Sequence, residues 1–349
     1  MFFVGIIAVY FFPNLNQPPV EFDFGAFWNI WARWDGWHYI RNSINGYPEN
    51  QPFTAFFPLF PILISGVSFF LKINPVFAGI LISNISLIFA GYFLVKLVKL
   101  DFSEKIARKS FIFLLAFPSS VFLAAVYTES LFLFFTISTF YFIRKNQWSN
   151  VFIMSFLSSL TRILGVFLVF PIFFEYLKKN NFKFKKEIFS ILGAPLGLGT
   201  YMFFLWKKFR NPLQFLESQK SWGREIEPNI FCNFFEKIKY FFNFTINHHA
   251  MALIEISFVF LFLFLIISAF FYQKIRKSYA IWMLVLFLPP VMQNVWTSTN
   301  RYVLVIFPAF ILFSIFSQKF KFLGDLLLIF FGILLGIHIS LFVNYFWAG

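Results

Sequence analysis

Cysteine is almost missing from this 349-residue sequence. Cys232 stands alone, so no intrachain disulfide can form, and no Cys-x-x-Cys or Cys/His metal cluster is available. Histidine is equally sparse, at four. His248 and His249 are adjacent rather than one helical turn apart, which does not suit metal ligation, and His338 reads as a packed side chain of the last apolar segment. Charge is scarce at 13% of residues, and acid is the scarcer sign, with 15 Asp and Glu against 29 Lys and Arg. No glycine-rich phosphate loop of the Walker or Rossmann type occurs. No stretch is long and polar enough to be a cytosolic domain binding a nucleotide-sugar donor.

What fills the sequence instead is apolar. Hydrophobic residues make up 59%, 62 positions are Phe, and mean hydropathy is +0.74. A soluble domain cannot hide that much apolar surface, so an all-α polytopic membrane protein is expected, with residues 1–349 as a single integral domain. The Phe excess reads as compositional bias and implies no mechanism. A net charge of +14 in a soluble protein would suggest nucleic acid. Here the basic residues gather in short turns between apolar runs, which is the orientation signal of a membrane protein, so no nucleic-acid partner is expected.

Residues 2–12 are apolar with no small-residue cleavage site after them, which points to a signal anchor or first helix rather than a removed leader. They are few for a core that needs about 20 residues. Residues 13–75 form a first outer loop. Within it, 54–71 carries Pro58 and Pro61 and is expected to lie near the membrane surface rather than cross it. Spans are expected near 75–98, 110–126, 128–143, 149–161, 163–177, 188–206, 250–272, 279–295, 302–317 and 323–346, about eleven with the first. The pair 149–161 and 163–177 meets at Arg162 and reads either as one long span or as two half-depth helices. A long polar stretch, 207–248, forms a late outer loop. With 54–71 kept out of the membrane, the lysines and arginines near 96–109, 144–145, 178–186, 274–277 and 319–321 share one side and outnumber those opposite. That side is expected to be cytosolic. Asp35, Glu129, Arg162, the late loop and Arg301 then all fall on the outer face.

The stretch Trp31 to Tyr39, W-A-R-W-D-G-W-H-Y, places an acid among aromatic rings at the polar start of the first loop. Rings stack on pyranose faces and a carboxylate can take a hydroxyl proton, which suits a sugar-binding catalytic loop centred on Asp35. Trp and Tyr also concentrate where membrane meets water, so the tryptophans alone fit an interfacial belt equally well. Glu129, in Tyr127-Thr-Glu-Ser130, sits between apolar runs. It is either a costly buried ionisable group with a task or a wet helix cap. Arg162, in Leu160-Thr-Arg-Ile-Leu-Gly165, suits a structural ion pair with Glu129 or a grip on a lipid-linked phosphate. Arg301, in Thr299-Asn-Arg-Tyr302, has the same phosphate reading beside that of an interfacial anchor. In the late loop, Gln214, Gln219, Trp222, Gly223 and Arg224 are the polar and aromatic groups that a second ligand would need.

These segments, RWDGWHY at 33–39, AFFPLFP at 55–61, AVYTESLF at 125–132, LTRILG at 160–165 and NRYVLVIFP at 300–308, resemble in kind and order those of the PIG-V-type mannosyltransferases, membrane glycosyltransferases of the GT-C fold. The resemblance implies a GT-C-like helical bundle whose first outer loop carries membrane-surface helices. It also implies a polyprenyl- or dolichyl-phosphate sugar donor, a glycan or glycolipid acceptor, and inverting transfer on the outer face with no cofactor. It makes Asp35 the catalytic base. Arg33, Trp34, His38, Tyr39, Glu129, Arg162, Trp222, Arg301 and Tyr302 are the candidate substrate-binding residues. A bacterial cell membrane is the expected location, or the endoplasmic reticulum if the chain is eukaryotic. A transporter or flippase of lipid-linked sugars is the competing class. Its charges would line a passage at mid-depth rather than gather at one face.

Overall fold

The computed structural model describes residues 1–12, 24–48, 52–183, 185–223, 246–293 and 298–346, with single positions between 224 and 245. Arg224 and Cys232 lie outside the described residues, and the side chains of His248 and His249 do too. Within them the fold is a bundle of helices. Four helical stretches are long and apolar enough to cross a membrane: Pro75–Val98, Lys186–Phe209, Ile254–Phe271 and Lys321–Val343. The other apolar segments are shorter, so four stretches of spanning length stand where about eleven crossings are expected.

The reasons for the breaks are local. Asn74 accepts the Val76 N–H at 2.8 Å and Pro75 occupies the first helical position, so the Pro75 helix starts sharply. The expected span 110–126 is not one helix. Glu104–Ala116 ends at Phe117, which is extended because Pro118 follows, and only the short turn Val121–Ala124 precedes the next helix. The expected span 302–317 is likewise split, into Thr299–Leu304 and a helix that restarts at Pro308. Arg162 adopts an extended conformation between Trp148–Thr161 and the Ile163–Leu168 turn that leads into Val169–Lys179. Of the two readings of 149–177, two short helices is therefore the one found. The Asp35 stretch is not a loop throughout. Trp34 turns the chain at positive φ and Asp35 opens the helix Asp35–Asn45. The segment expected to stay at the surface forms the helix Leu59–Leu71.

The many phenylalanines fill the bundle. Phe117 alone sits 5.1 Å from Phe258, 5.3 Å from Phe331 and 5.4 Å from Phe310, joining helices from the middle and end of the chain. Small residues close another contact. Gly193 and Gly197, four apart on Gly193–Phe209, face the backbone of Trp148–Thr161, where an added Cβ would lie 2.3 Å from the carbonyl oxygens of Phe152 and Phe156. This is the small-xxx-small approach by which helices associate where apolar burial gives little drive.

Two ion pairs lie together at one end of the bundle. Asp101 pairs with Arg144, and Glu175 takes Arg276 through two contacts of 2.7 and 3.0 Å. Arg144 closes the helix whose first residue is Glu129. At a rise of about 1.5 Å per residue, Glu129 lies roughly 22 Å away from Arg144. The bundle thus has one end of basic turns and another that holds Glu129.

Gly197→Leu is expected to force the two helices apart and lower stability by about 1–3 kcal/mol. The thermal unfolding midpoint of the solubilised protein checks this, and an unchanged midpoint would contradict the close approach.

Candidate active site

Two sets of contacts place the Asp35 helix. Trp31 is fully buried, and its carbonyl accepts the Val126 N–H at 3.0 Å; Tyr127 then donates its hydroxyl to the Arg33 carbonyl, also at 3.0 Å. The chain entering Asp35 is thereby stitched to the segment entering Glu129. Farther on, Asn42 donates to the Phe53 carbonyl and Tyr47 to that of Phe56. Tyr201 donates to the Thr54 carbonyl at 2.8 Å, and Thr54 bonds Ser218 and the Gln214 carbonyl. These bonds dock the helix Gln214–Lys220 against the first loop and deliver Trp222 to it.

Four charged side chains meet at this end. Glu129 has no exposed side-chain surface, and one of its oxygens, Oε1, receives Arg162 at 2.5 Å and Arg301 Nε at 2.6 Å. Arg301 extends its other arm to Asp35 Oδ2 at 2.5 Å. The result is a continuous chain, Asp35–Arg301–Glu129–Arg162, of two acids and two bases drawn from four distant parts of the sequence. A carboxylate this dry survives in ionised form only if paired and hydrogen-bonded, and the two guanidinium groups supply that. Glu129 is therefore not a wet helix cap. Its second oxygen, Oε2, is buried with no hydrogen-bond partner among the described residues. Asp35 is at the open end, with 28% of its side chain exposed.

The remaining candidates divide into three groups. Tyr39 and Thr128 join the cluster: the Tyr39 hydroxyl lies 3.3 Å from Thr128 Oγ1, which also receives Arg162 at 3.4 Å. Burial pushes the Tyr39 phenol up to about 12, so it stays protonated and can donate. Tyr302 puts its ring 5.8 Å from the Arg162 guanidinium, and Tyr127 faces Arg301 at 4.7 Å. A second group forms an aromatic wall beside Asp35. His38 stacks on Phe56 at 4.8 Å, and Trp222 meets the imidazole edge-on at 5.1 Å. Burial lowers the His38 pKa more than nearby Asp35 raises it, so the ring is neutral at pH 7 and presents a stacking face rather than a charge. Trp222 remains partly exposed, as a ring that receives a ligand must be.

The third group points elsewhere. Arg33 lies over the Tyr345 ring at 4.7 Å and Trp34 packs on the same residue at 5.1 Å, so these two anchor the loop to the C-terminal segment rather than enter the charged cluster. Thr128 was in view in the sequence, inside the Tyr127–Ser130 motif, but nothing in the pattern marks it as the hydroxyl that ties Tyr39 to Arg162. Among the described residues, no group of three His, Cys, Asp or Glu side chains converges that could hold a metal ion.

Comparison with known proteins adds the following. The model of the family described as mannosyltransferase (PIG-V) matches residues 20–197, half of the chain, a range that includes Asp35, Glu129 and Arg162 and stops before Arg301. GPI mannosyltransferase 2 of Schizosaccharomyces pombe (strain 972 / ATCC 24843) is 35% identical over 142 residues, which is 39% of this chain and 30% of that protein. The match thus spans under a third of the relative's length, and a relative from a yeast lends no support to a bacterial cell membrane. No solved structure matches.

Glu129→Gln is expected to cost about 3–5 kcal/mol, since it leaves two buried guanidinium groups without their shared anion. Trp37→Ala, at an exposed ring, should leave the unfolding midpoint in place. Denaturation of both solubilised variants checks the contrast, and a Glu129→Gln protein as stable as the wild type would contradict it.

Proposed function

The chain belongs to the mannosyltransferase (PIG-V) family, and on that premise we propose that it is an inverting glycosyltransferase. It transfers mannose from a polyprenyl- or dolichyl-phosphate carrier to a glycan or glycolipid acceptor at the non-cytosolic face of the membrane. The observation that carries this reading is the position of Asp35, partly exposed between a wall of rings and the buried pair of guanidinium groups held by Glu129. One side suits a sugar and the other suits a phosphate.

Asp35 accepts the proton of the acceptor hydroxyl as that oxygen bonds to the anomeric carbon. The carrier phosphate leaves from the opposite face with the electron pair of the broken C–O bond, so configuration inverts. A carboxylate paired with Arg301 is a weakened base. That is tolerable because a phosphate leaves readily, and the base needs only to orient the hydroxyl and take its proton late. Charge developing on the leaving phosphate calls for fixed cations, and Arg162 and Arg301 are the candidates, held in place by Glu129 so that little reorganisation is needed. His38, Phe56 and Trp222 form the platform on which a pyranose ring stacks. The carrier's apolar tail lies among helices that are already apolar on their outer faces. A transporter has no observation in its favour: the four charges close on one another at one end of the bundle instead of lining a passage.

The test is transfer of radiolabelled mannose from dolichyl-phosphate mannose to glycolipids of membranes from cells lacking the gene. Asp35→Asn, in a protein that still inserts and purifies as wild type, is expected to lose about 10²–10⁴-fold in turnover. Wild-type turnover in that variant would contradict Asp35 as the base. Trp222→Ala is expected to raise the KM for acceptor by about tenfold with a smaller effect on kcat, as loss of one stacking face should.

A further inference from the structure

The helix Ile246–Phe271 is apolar through most of its length, yet carries a carboxylate at Glu255 that the reaction described above does not use. Glu255 is buried, and it reaches away from its own helix to the turn before Thr299–Leu304. Its oxygens accept backbone N–H groups of this turn, Oε1 that of Ser298 and Oε2 that of Asn300, each at 3.1 Å, and Thr299 between them bonds it as well. Ser298 holds a left-handed φ of +68°, uncommon for a residue with a side chain and sustained only where neighbours over-determine it. The usual device for such a helix start is local, a cap from the residue's own hydroxyl. Ser298 makes no such bond, and the cap comes instead from a helix more than forty residues earlier in the chain.

Asn300 is gripped from two more directions. Ser119 donates to its carbonyl at 2.8 Å, and its side-chain amide donates to His338 Nε2 at 3.2 Å. The other His338 nitrogen faces the Leu334 carbonyl at 2.9 Å, which fixes the ring as a neutral acceptor toward Asn300. Two helices and the turn at Ser119 thus hold the residue directly before Arg301. A carboxylate buried in an apolar helix is costly to insert, an expense without purpose if the turn were an ordinary connection.

We propose that Glu255 is a positioning residue for the transfer reaction: by clamping the Ser298–Asn300 turn it aims the Arg301 guanidinium at Asp35 and Glu129 at once. The inference rests on the reading of the Asp35 cluster as the catalytic site. It adds that the geometry of that site is set by a residue on another helix that touches neither substrate nor reacting atoms.

Purified full-length protein in nanodiscs tests this with dolichyl-phosphate mannose as donor and membrane glycolipid extract as acceptor. Glu255→Ala is expected to lower kcat about tenfold per mole of monodisperse protein, with donor KM within about threefold of wild type. Glu255→Gln, which keeps one acceptor oxygen for part of this set of donors, should fall between. In an Arg301→Lys background the same Glu255→Ala change should cost less than about twofold, because the group it aims is already altered. A general structural role would carry the full tenfold loss into that background, and this result, or wild-type kcat in Glu255→Ala, would overturn the proposal. Hydrogen exchange needs no transfer activity and reads the clamp directly. Glu255→Ala should speed exchange at Ser298 and Asn300, and unchanged rates there would also overturn it. Absence of transfer by the wild type would instead strike at the reading of the site, leaving the exchange result to decide the clamp.

Discussion

A single carboxylate oxygen with no contact to solvent receives two guanidinium groups, and most of what is distinctive about this fold follows from that arrangement. Glu129 could not be ionised in such a place alone, nor could Arg301 be buried without an anion. Each makes the other tolerable, and the pairing requires that the start of one helix, the break at Arg162 and the turn at Arg301 converge to within hydrogen-bond reach. The helix start at Glu129, the extended Arg162 and the short helix Thr299–Leu304 are the means by which side chains from separate segments are brought to one spot. A bundle of uninterrupted spans would hold its charges along helix faces. This one interrupts its helices at 117–128, 162 and 305–307, and two of these breaks adjoin members of the cluster.

The cluster also separates two environments around Asp35. On its inner side lies a dry set of fixed charges, already oriented and costing no solvent rearrangement when charge moves. On its outer side lie His38, Phe56 and Trp222, rings with neutral faces. The hydrogen bonds from Tyr201 to the Thr54 carbonyl and from the Thr54 hydroxyl to the Gln214 carbonyl explain why Trp222, far away in sequence, belongs to that wall. The opposite end of the bundle, with Asp101–Arg144 and Glu175–Arg276, is ionic too, but its pairs are more exposed than the Glu129 cluster. At the Asp35 end Arg301 joins a fully buried carboxylate, Glu129, to a partly exposed one, Asp35.

Much of this was legible in the residues themselves. Asp35, Glu129, Arg162 and Arg301 stand out because ionisable side chains between apolar runs are rare in a chain with 15 acids, and the charge asymmetry of the turns puts them at a common end. Their mutual contacts are another matter. That Arg301 bridges Asp35 and Glu129 depends on distances between segments far apart in sequence, which no local pattern encodes. The prolines at 58 and 61 led to the expectation of a surface helix over 54–71, whereas those at 118 and 308 lie inside runs expected to be continuous spans, and there the structure breaks the helix. Arg33 and Trp34 looked like site residues from proximity to Asp35. The positive-φ turn at Trp34 swings both toward Tyr345, a conformation that the residue types there do not advertise. Glu255 went unmarked because it lies inside a helix whose hydropathy overrides one acid.

The central claim is that the Asp35 end of the bundle receives both the sugar and the phosphate of one lipid-linked donor. An experimental structure of the protein with a non-cleavable polyprenyl-phosphonate mannose tests this most directly. The account predicts the phosphonate within about 3 Å of the Arg162 or Arg301 nitrogens, with the mannose ring between the Asp35 carboxylate and the His38–Trp222 wall. A phosphonate bound among the basic turns near Arg144 and Arg276, with Asp35 remote from the sugar, would contradict it.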